Sequence, residues 1–318
     1  MQSKINKFIL TENEYDKYIK QNGGYSKYTL NYEQYKKSLN TVIISLLSCA
    51  DISKTPTSSF VVSQPGSGKT GLATHVLSTI EPSSVKIDPD LIATYHQKYN
   101  EIIDEIPNQS YTELQKFVRT ALNNTLRPLG VEQNLNLLSE GTFADTNGYL
   151  DIIRHQKNSG YKIDIHTIVT HRLESLLSAF ERQQSCFSRG LPPRVVLINH
   201  HDNAYNQIFE TFDKIISEQL FDEINIYTRG EKEYSPKLKY KFDKANSINV
   251  KNTIQFIRNQ ELEKILSNPT TYSSRISNLK NQILQNPDSL IKTQQLTQLS
   301  QLENDFKKEL SSKEIHIK

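Results

Sequence analysis

The sequence predicts an α/β fold: a mostly parallel sheet of five strands, or slightly more, flanked by helices, with a helical appendage at its C-terminal end. Three observations predict it. Short apolar runs alternate with helical patterns between residues 58 and 250, which calls for right-handed βαβ crossovers and hence parallel pairing. The first apolar run, Ser59-Phe60-Val61-Val62, leads into a Gly-rich loop and then a helix. After residue 250 the apolar runs stop and only helical patterns remain.

The elements are justified in chain order. Residues 1–57 form an N-terminal helical segment rich in Tyr and Lys. Thr11-Glu12-Asn13-Glu14 has the form of a capping box opening a short helix. Asn22-Gly23-Gly24 interrupts it, Tyr32 to Ala50 reads as a second helix, and Asp51 to Ser59, with Pro56, as a loop. Residues 58–250 carry the main domain. Its strands are expected at Ser59–Val62, Val85–Ile87, Leu135–Leu138, Tyr161–Thr170 and Ile224–Tyr227, as buried or alternating apolar runs. Helices are expected at Thr70–Ile80, Tyr111–Leu126, Gly148–Asn158, Arg172–Gln184 and Ala204–Glu218. Residues 251–318 are the helical appendage, broken into three pieces at Asn268-Pro269 and Asn286-Pro287. Leu299, Leu302, Phe306 and Leu310 make one helical stripe there, expected to pack on the main domain or on a partner.

Composition excludes several classes. The 318 residues suffice for about two domains, or one large α/β domain with appendages. Lys plus Arg number 38 against 35 Asp plus Glu, a net charge of +3. No single-sign field results, so a dedicated nucleic-acid binder is not expected. No apolar run approaches the ~18 residues of a membrane span, and no secretory leader is visible at the N-terminus. The two cysteines, Cys49 and Cys186, form no C-x-x-C pair, so neither a thiolate zinc site nor a disulfide framework is expected. A reducing cytoplasm is the simplest location.

The most specific feature is Ser63-Gln64-Pro65-Gly66-Ser67-Gly68-Lys69-Thr70, a phosphate-loop motif between strand and helix. Gly66 and Gly68 let backbone N–H groups turn inward and approach phosphate oxygens. The following helix adds a favourable N-terminal dipole. Lys69 can reach the β- and γ-phosphates of ATP or GTP, and the Thr70 hydroxyl can ligate Mg²⁺. The consensus has Gly at the first position; here it is Ser63.

Ile87-Asp88-Pro89-Asp90 ends the second strand, at the sheet edge where open α/β folds hold ligands. One carboxylate could take a proton from an acceptor hydroxyl and one could hold Mg²⁺ through water. Asp88 fits a Mg²⁺ ligand, and equally an ordinary helix cap before Pro89. Asp90 is the better candidate base. Ser139-Glu140-Gly141-Thr142 ends the third strand, so Glu140 and Thr142 could bind substrate hydroxyls or simply form a turn. Arg172, Arg182, Arg189 and Arg194 lie where nucleotide kinases of this topology carry a lid; surface ion pairs are the plain alternative. Arg194 follows Leu191-Pro192-Pro193, a helix-start signal. His166, His171, His200 and His201 read as helix caps or surface imidazoles, since no carboxylate spacing completes a metal site.

Taken in order, these residues resemble the zeta toxin family, the kinase half of epsilon/zeta-type toxin–antitoxin systems. The resemblance runs from about Phe60 to Ser235. It rests on the phosphate loop, Ile87-Asp88-Pro89-Asp90, Asn136 to Thr142, Phe180-Glu181-Arg182, Arg194 through His201-Asp202, and Leu220 to Ile224. It implies a P-loop kinase-like fold and phosphorylation of the 3′-hydroxyl of UDP-N-acetylglucosamine with ATP or GTP and Mg²⁺. It also leaves room for an antitoxin protein as partner. By the same resemblance Lys69 is the loop lysine, Thr70 the Mg²⁺ ligand and Asp90 the catalytic base. Glu140 and Thr142 become substrate contacts, and Arg182 and Arg194 the phosphate-clamping arginines. The pattern departs at Ser63, at Ala144 where the family often has Arg, and at Thr120 where it carries a substrate-binding Glu. The catalytic set is thus kept while the sugar-side set is altered. A zeta-like kinase of another acceptor, such as a dinucleotide or another nucleoside diphosphate sugar, remains the alternative, with a non-catalytic nucleotide-binding module as a third.

Overall fold

Strands Thr57–Val62 (β1), Val85–Ile87 (β2), Leu137–Gly141 (β3), Lys162–Ile168 (β4), Glu223–Thr228 (β5) and Lys237–Phe242 (β6) form a six-stranded sheet in the order β2-β3-β1-β4-β5-β6. The structure is a computed structural model that describes residues 7–47, 50–81, 83–106, 109–189, 195–230, 235–246 and 249–316. Cys49, the Leu191-Pro192-Pro193 signal and Arg194 lie outside them. β2 pairs in parallel with β3, Val85 opposite Leu137, and β4 with β5, Asp164 opposite Glu223. β6 is antiparallel to β5. Its alternation of Lys237, Lys239 and Lys241 with Leu238, Tyr240 and Phe242 is a period-2 pattern that the sequence reading passed over. Apart from the buried Phe242 it lies exposed at the sheet edge, where lysines deter further pairing.

The helices are Glu12–Gln21 (α1), Tyr32–Leu47 (α2), Lys69–Thr79 (α3), Pro89–Ala93 (α4), Tyr99–Glu105 (α5), Ser110–Thr120 (α6), Arg127–Glu132 (α7), Thr146–Asn158 (α8), Arg172–Ser188 (α9), Ile198–Ser217 (α10), Val250–Ser267 (α11), Pro269–Gln285 (α12) and Leu290–His316 (α13). No described helix is long and apolar enough to cross a membrane. The third strand is shifted from the expected Leu135–Leu138: it begins at Leu137 and takes in Ser139, Glu140 and Gly141. The helix expected to end at Leu126 continues through a π-helical turn, Ala121–Leu126, into α7. That turn precedes Pro128, whose missing N–H and bulky ring an unbroken α-helix could not accommodate. α10 starts at Ile198, six residues before the expected Ala204.

The chain divides into two compact units, each assembled from three segments: Met1–Phe60, Val76–Glu140 and His155–Ile163 in the first; Val61–His75, Gly141–Arg154 and Asp164–Lys318 in the second. In the first unit the capping box at Thr11 forms as read, and Tyr15 of α1 and Tyr35 of α2 are buried in the core. Tyr15 stacks on Tyr35 at 4.3 Å, and Tyr35 meets Phe117 of α6 edge-on at 6.4 Å. In the second unit Leu173, Leu176, Leu177 and Phe180 of α9 pack against Tyr272 and Ile276 of α12 and Leu299, Leu302 and Phe306 of α13. Leu310 lies partly buried against this cluster, so the C-terminal stripe covers core.

Candidate functional site

The phosphate loop belongs to the second unit, and its shape follows from its residue types. Gly66 and Gly68 have φ of +73° and +104°, which side chains other than Gly rarely adopt. A Cβ on Gly66 would also lie 2.0 Å from the carbonyl oxygen of Ser175 in α9. Ser63, where the motif has Gly, lacks a positive φ. It is buried, and its hydroxyl donates to the Ile168 carbonyl at 2.7 Å, so the substitution adds an anchor to β4. Gln64 donates to the Thr170 carbonyl and hydroxyl and, at 3.3 Å, to the Ser175 hydroxyl. Lys69 folds back on the loop, donating to the carbonyls of Ser63 at 2.7 Å and Gln64 at 2.8 Å. Thr70 is exposed in the first turn of α3.

Two side-chain relays run outward from this loop. In the first, Ser175 meets His201 Nε2 at 2.8 Å, and His201 Nδ1 lies 3.1 Å from Asp202. Arg172 grips Asp202 with two donors, at 2.7 and 2.8 Å, and reaches Asp305 of α13 with a third, at 2.8 Å. Burial lowers the His201 pKa more than Asp202 raises it. Burial works to raise that of Asp202, but hydrogen bonds from His201 and Arg172, with the charge of Arg172, hold it down to about 2. His201 and His166 are therefore buried groups rather than the surface imidazoles expected from sequence, because each faces a polar partner inside; for His166 it is Tyr227. His171 does cap α9. In the second relay, Arg229, directly after β5, donates to the Ser67 carbonyl at 3.0 Å and to that of Gly66. Its remaining terminal nitrogen reaches Glu174 at 2.8 Å and Ser178 at 3.0 Å. Sequence reasoning missed Arg229 and Glu174. Only the position of Arg229 at the carboxyl end of a strand could have signalled it.

Arg182 is half-buried on α9, two turns beyond Ser175 and on the same face. Thr142 is the residue after β3; its hydroxyl accepts the Ala144 N–H at 3.4 Å, and its own N–H donates to the Tyr149 hydroxyl at 3.3 Å. A Cβ on Gly141 would lie 1.8 Å from that hydroxyl, so any side chain there would require the Tyr149 ring to move. The next residue, Phe143, is held at φ +55° by its fully buried ring and by the Thr211 hydroxyl donating to its carbonyl at 2.9 Å.

The carboxylates belong to the first unit. Asp88 caps α4: one oxygen accepts the N–H groups of Asp90 at 3.0 Å and Leu91 at 3.4 Å. Its other oxygen takes Lys86 at 3.0 Å. Lys86, on β2, also pairs with Glu140 of the adjoining β3 at 2.8 Å. Burial pulls the Lys86 pKa down, but the hydrogen bond and charge of Glu140, with Asp88, raise it overall. Sequence reasoning missed this lysine, whose signal was a lone cation inside an apolar strand. Asp90 is exposed in the first turn of α4. Thr120 is buried at the end of α6, its hydroxyl donating to the Phe117 carbonyl at 2.7 Å. Among the described residues no group of three or more His, Cys, Asp and Glu side chains could hold a metal ion.

Known proteins match this arrangement. The profile of the family described as Zeta toxin matches residues 45–237, more than half of the chain. Toxin zeta of Streptococcus pyogenes is 22% identical over 205 residues, which is 64% of this chain and 71% of that protein. Toxin PezT of Streptococcus pneumoniae serotype 4 is 25% identical over 202 residues, 62% of this chain and 78% of that one. A structure of the Streptococcus pneumoniae PezAT chromosomal toxin–antitoxin system is similar with a TM-score of 0.65 and 22% identity, covering 80% of this chain and 100% of that chain. The AvrRxo1-ORF1:-ORF2 complex with ATP is similar with a TM-score of 0.56 and 12% identity, covering 92% and 95%. With its phosphate loop, its mostly parallel sheet and this match across residues 45–237, the chain belongs to the zeta toxin family.

Proposed function

We propose that the chain is a kinase that moves the γ-phosphate of ATP or GTP to a hydroxyl of a nucleotide-sugar, with the 3′-hydroxyl of UDP-N-acetylglucosamine as first candidate, and acts as a toxin. The observation that carries this reading is the loop itself: two left-handed glycines and a lysine at the start of a helix, shaped for phosphate. In that role Lys69 exchanges its two loop carbonyls for phosphate oxygens. Asp90, exposed and in a helix's first turn, accepts the acceptor's proton. Arg182 and Arg194 follow charge as it spreads over the transferred group. Glu140 and Thr142 bind the acceptor. Mg²⁺ supplies charge neutralisation on the phosphates, and the exposed Thr70 hydroxyl fits it; Asp88 would join it by exchanging its Lys86 and amide partners or through water.

A second reading keeps the kinase and changes the acceptor. Thr120 is buried with its hydroxyl turned to its own helix, and Ala144 offers no cation, so neither position supplies the sugar contact of the family pattern. The antitoxin partner is part of the same proposal, supported by the PezAT toxin–antitoxin system to which this fold is similar, and a cytoplasmic location is proposed with it. The test is incubation of the purified protein with γ-labelled ATP or GTP and a panel of UDP-sugars, dinucleotides and nucleosides. Label in UDP-N-acetylglucosamine supports the first reading. Label in another acceptor only supports the second, and no labelled product from any acceptor overturns both.

A further inference from the structure

The Arg229 side chain does more than fill space beside the loop. A trans peptide holds its C=O and N–H on opposite sides. The Gly66 carbonyl belongs to the peptide that carries the Ser67 N–H, and the Ser67 carbonyl to the one that carries the Gly68 N–H. By binding both carbonyls, Arg229 fixes two consecutive peptide planes with their N–H groups facing away from it. The Ser67 N–H makes a long contact, 3.4 Å, to the Gln64 carbonyl. A planar guanidinium suits this task, because its fork can serve two acceptors at fixed spacing while a third donor is held from behind.

Glu174 holds it from behind. Its Oε1 accepts from Arg229 at 2.8 Å and from Ser178 at 3.0 Å. The same carboxylate is gripped from the other side by Arg275 of α12, at 2.8 Å to Oε2 and 3.2 Å to Oε1. Arg275 is itself pinned by two bonds to Glu181, at 3.0 and 2.8 Å. The four side chains balance two positive against two negative charges, and three of them, Glu174, Arg229 and Arg275, line a cleft of about 290 Å³ together with Glu261, Lys264 and Tyr272. Arg275 lies beyond residues 45–237 that match the family. A segment outside the shared domain thus reaches the phosphate loop through only two intervening side chains.

We infer that Arg229 is a positioning residue that presets the phosphate loop for nucleotide, and that Arg275 of the C-terminal helices sets Arg229 through Glu174. The inference rests on the nucleotide-binding reading above. It makes the C-terminal helices a determinant of nucleotide affinity, and any change that withdraws Arg275 from Glu174 loosens the loop.

The experiment is a double-mutant cycle on the full chain, with MgATP binding read by calorimetry and folding by circular dichroism. Arg229→Ala is expected to weaken MgATP binding at least tenfold, and Arg275→Ala three- to tenfold. The double variant is expected to bind no more weakly than Arg229→Ala alone, because Arg275 acts only through Arg229. Arg275→Lys, which keeps one bond to Glu174, should recover part of the loss. Where Arg229→Ala does not fold, Arg229→Lys replaces it in the cycle, with an expected loss of at least threefold. Binding by the Arg229 variant within twofold of the unaltered chain overturns the inference. So do losses that multiply in the double variant, which is the behaviour of a merely structural ion pair. Lys69→Ala reports on the underlying reading separately: if it binds MgATP as the unaltered chain does, the nucleotide site is misassigned and the inference falls with it.

Discussion

Gly66→Ala isolates the fit between the phosphate loop and α9. Its φ of +73° places an alanine in the left-handed region, which costs about 1–2 kcal/mol. The added Cβ would also lie 2.0 Å from the Ser175 carbonyl oxygen and 3.0 Å from both the nitrogen and the Cβ of Ala179. A carbon–oxygen contact opens near ~3.3 Å, so loop and helix must part by more than about 1 Å. Both sides of that contact are backbone, so no flexible side chain can give way. Forcing atoms into such a packed contact adds about 1–3 kcal/mol, for a total of roughly 2–5 kcal/mol. A displacement of about 1 Å in a positioning element lowers turnover about 10²-fold. The control is Gly160→Ala, where φ is +85° but nothing lies within 4 Å of the added atom. That variant should lose only about 1 kcal/mol and none of its turnover. Urea unfolding and steady-state ATP turnover on both variants make the comparison. Gly66→Ala turnover within threefold of the unaltered chain, or equal destabilisation by the two variants, would refute the reasoning.

Lys69→Ala should lower turnover more than about 10²-fold with an unchanged circular dichroism spectrum, because the hydrogen bonds described for its ammonium go to loop carbonyls rather than to the core; activity within tenfold of normal would argue against the assignment. Asp90→Asn should lower turnover about 10²–10⁴-fold while MgATP still binds. Asp88→Asn should instead lower stability by about 1 kcal/mol, through the weakened cap and the lost pair with Lys86; the reverse pattern would exchange the two roles. Burial, then the Lys98 charge, holds His96 down at about 4 from 6.5, and burial, then Arg258 and Arg172, does the same to His171. Between those values the unfolded chain binds protons that the folded chain does not, so stability falls as pH drops from about 6.5 to about 4. Unfolding midpoints across that range should show the fall, and His96→Gln should flatten part of it; an unaltered slope would remove His96 from the account.

The parts of the molecule that are legible in sequence are those whose cause is local. The capping box at Thr11, the loop from Gln64 to Thr70 and the buried run of β1 each state their structure within eight residues or fewer. The C-terminal stripe was readable as a packing face, though its partner on α9 was not. What escaped depends on partners far along the chain. Arg229 meets Gly66 across 163 positions, and Arg275 meets Glu174 across 101. Lys86 looks like an intruder in an apolar strand until β3 brings Glu140 beside it. His201 looks like one of several scattered histidines until α9 sets Ser175 against it. β6 was missed for a different reason: an exposed edge strand buries almost nothing, so its alternation carries little hydrophobic contrast.

The interleaving of the two units bears on when the protein can become active during its own synthesis. Each unit waits for a segment encoded after part of the other, so neither can close as a simple N-terminal piece. The loop at Gln64 emerges early, yet Thr170 and Ser175, which hold its amide, come more than a hundred residues later. The core beneath α9 is still incomplete until Phe306 arrives. At ~5–20 residues per second, the motif spends on the order of ten seconds or more on the ribosome as a glycine-rich segment without the partners that shape it. A chain broken off before Tyr272 would display the phosphate-loop sequence without Arg275, Phe306 or the helices that carry them. For a member of the zeta toxin family, delayed assembly of this kind would keep the phosphate loop unshaped until the C-terminal helices are in place.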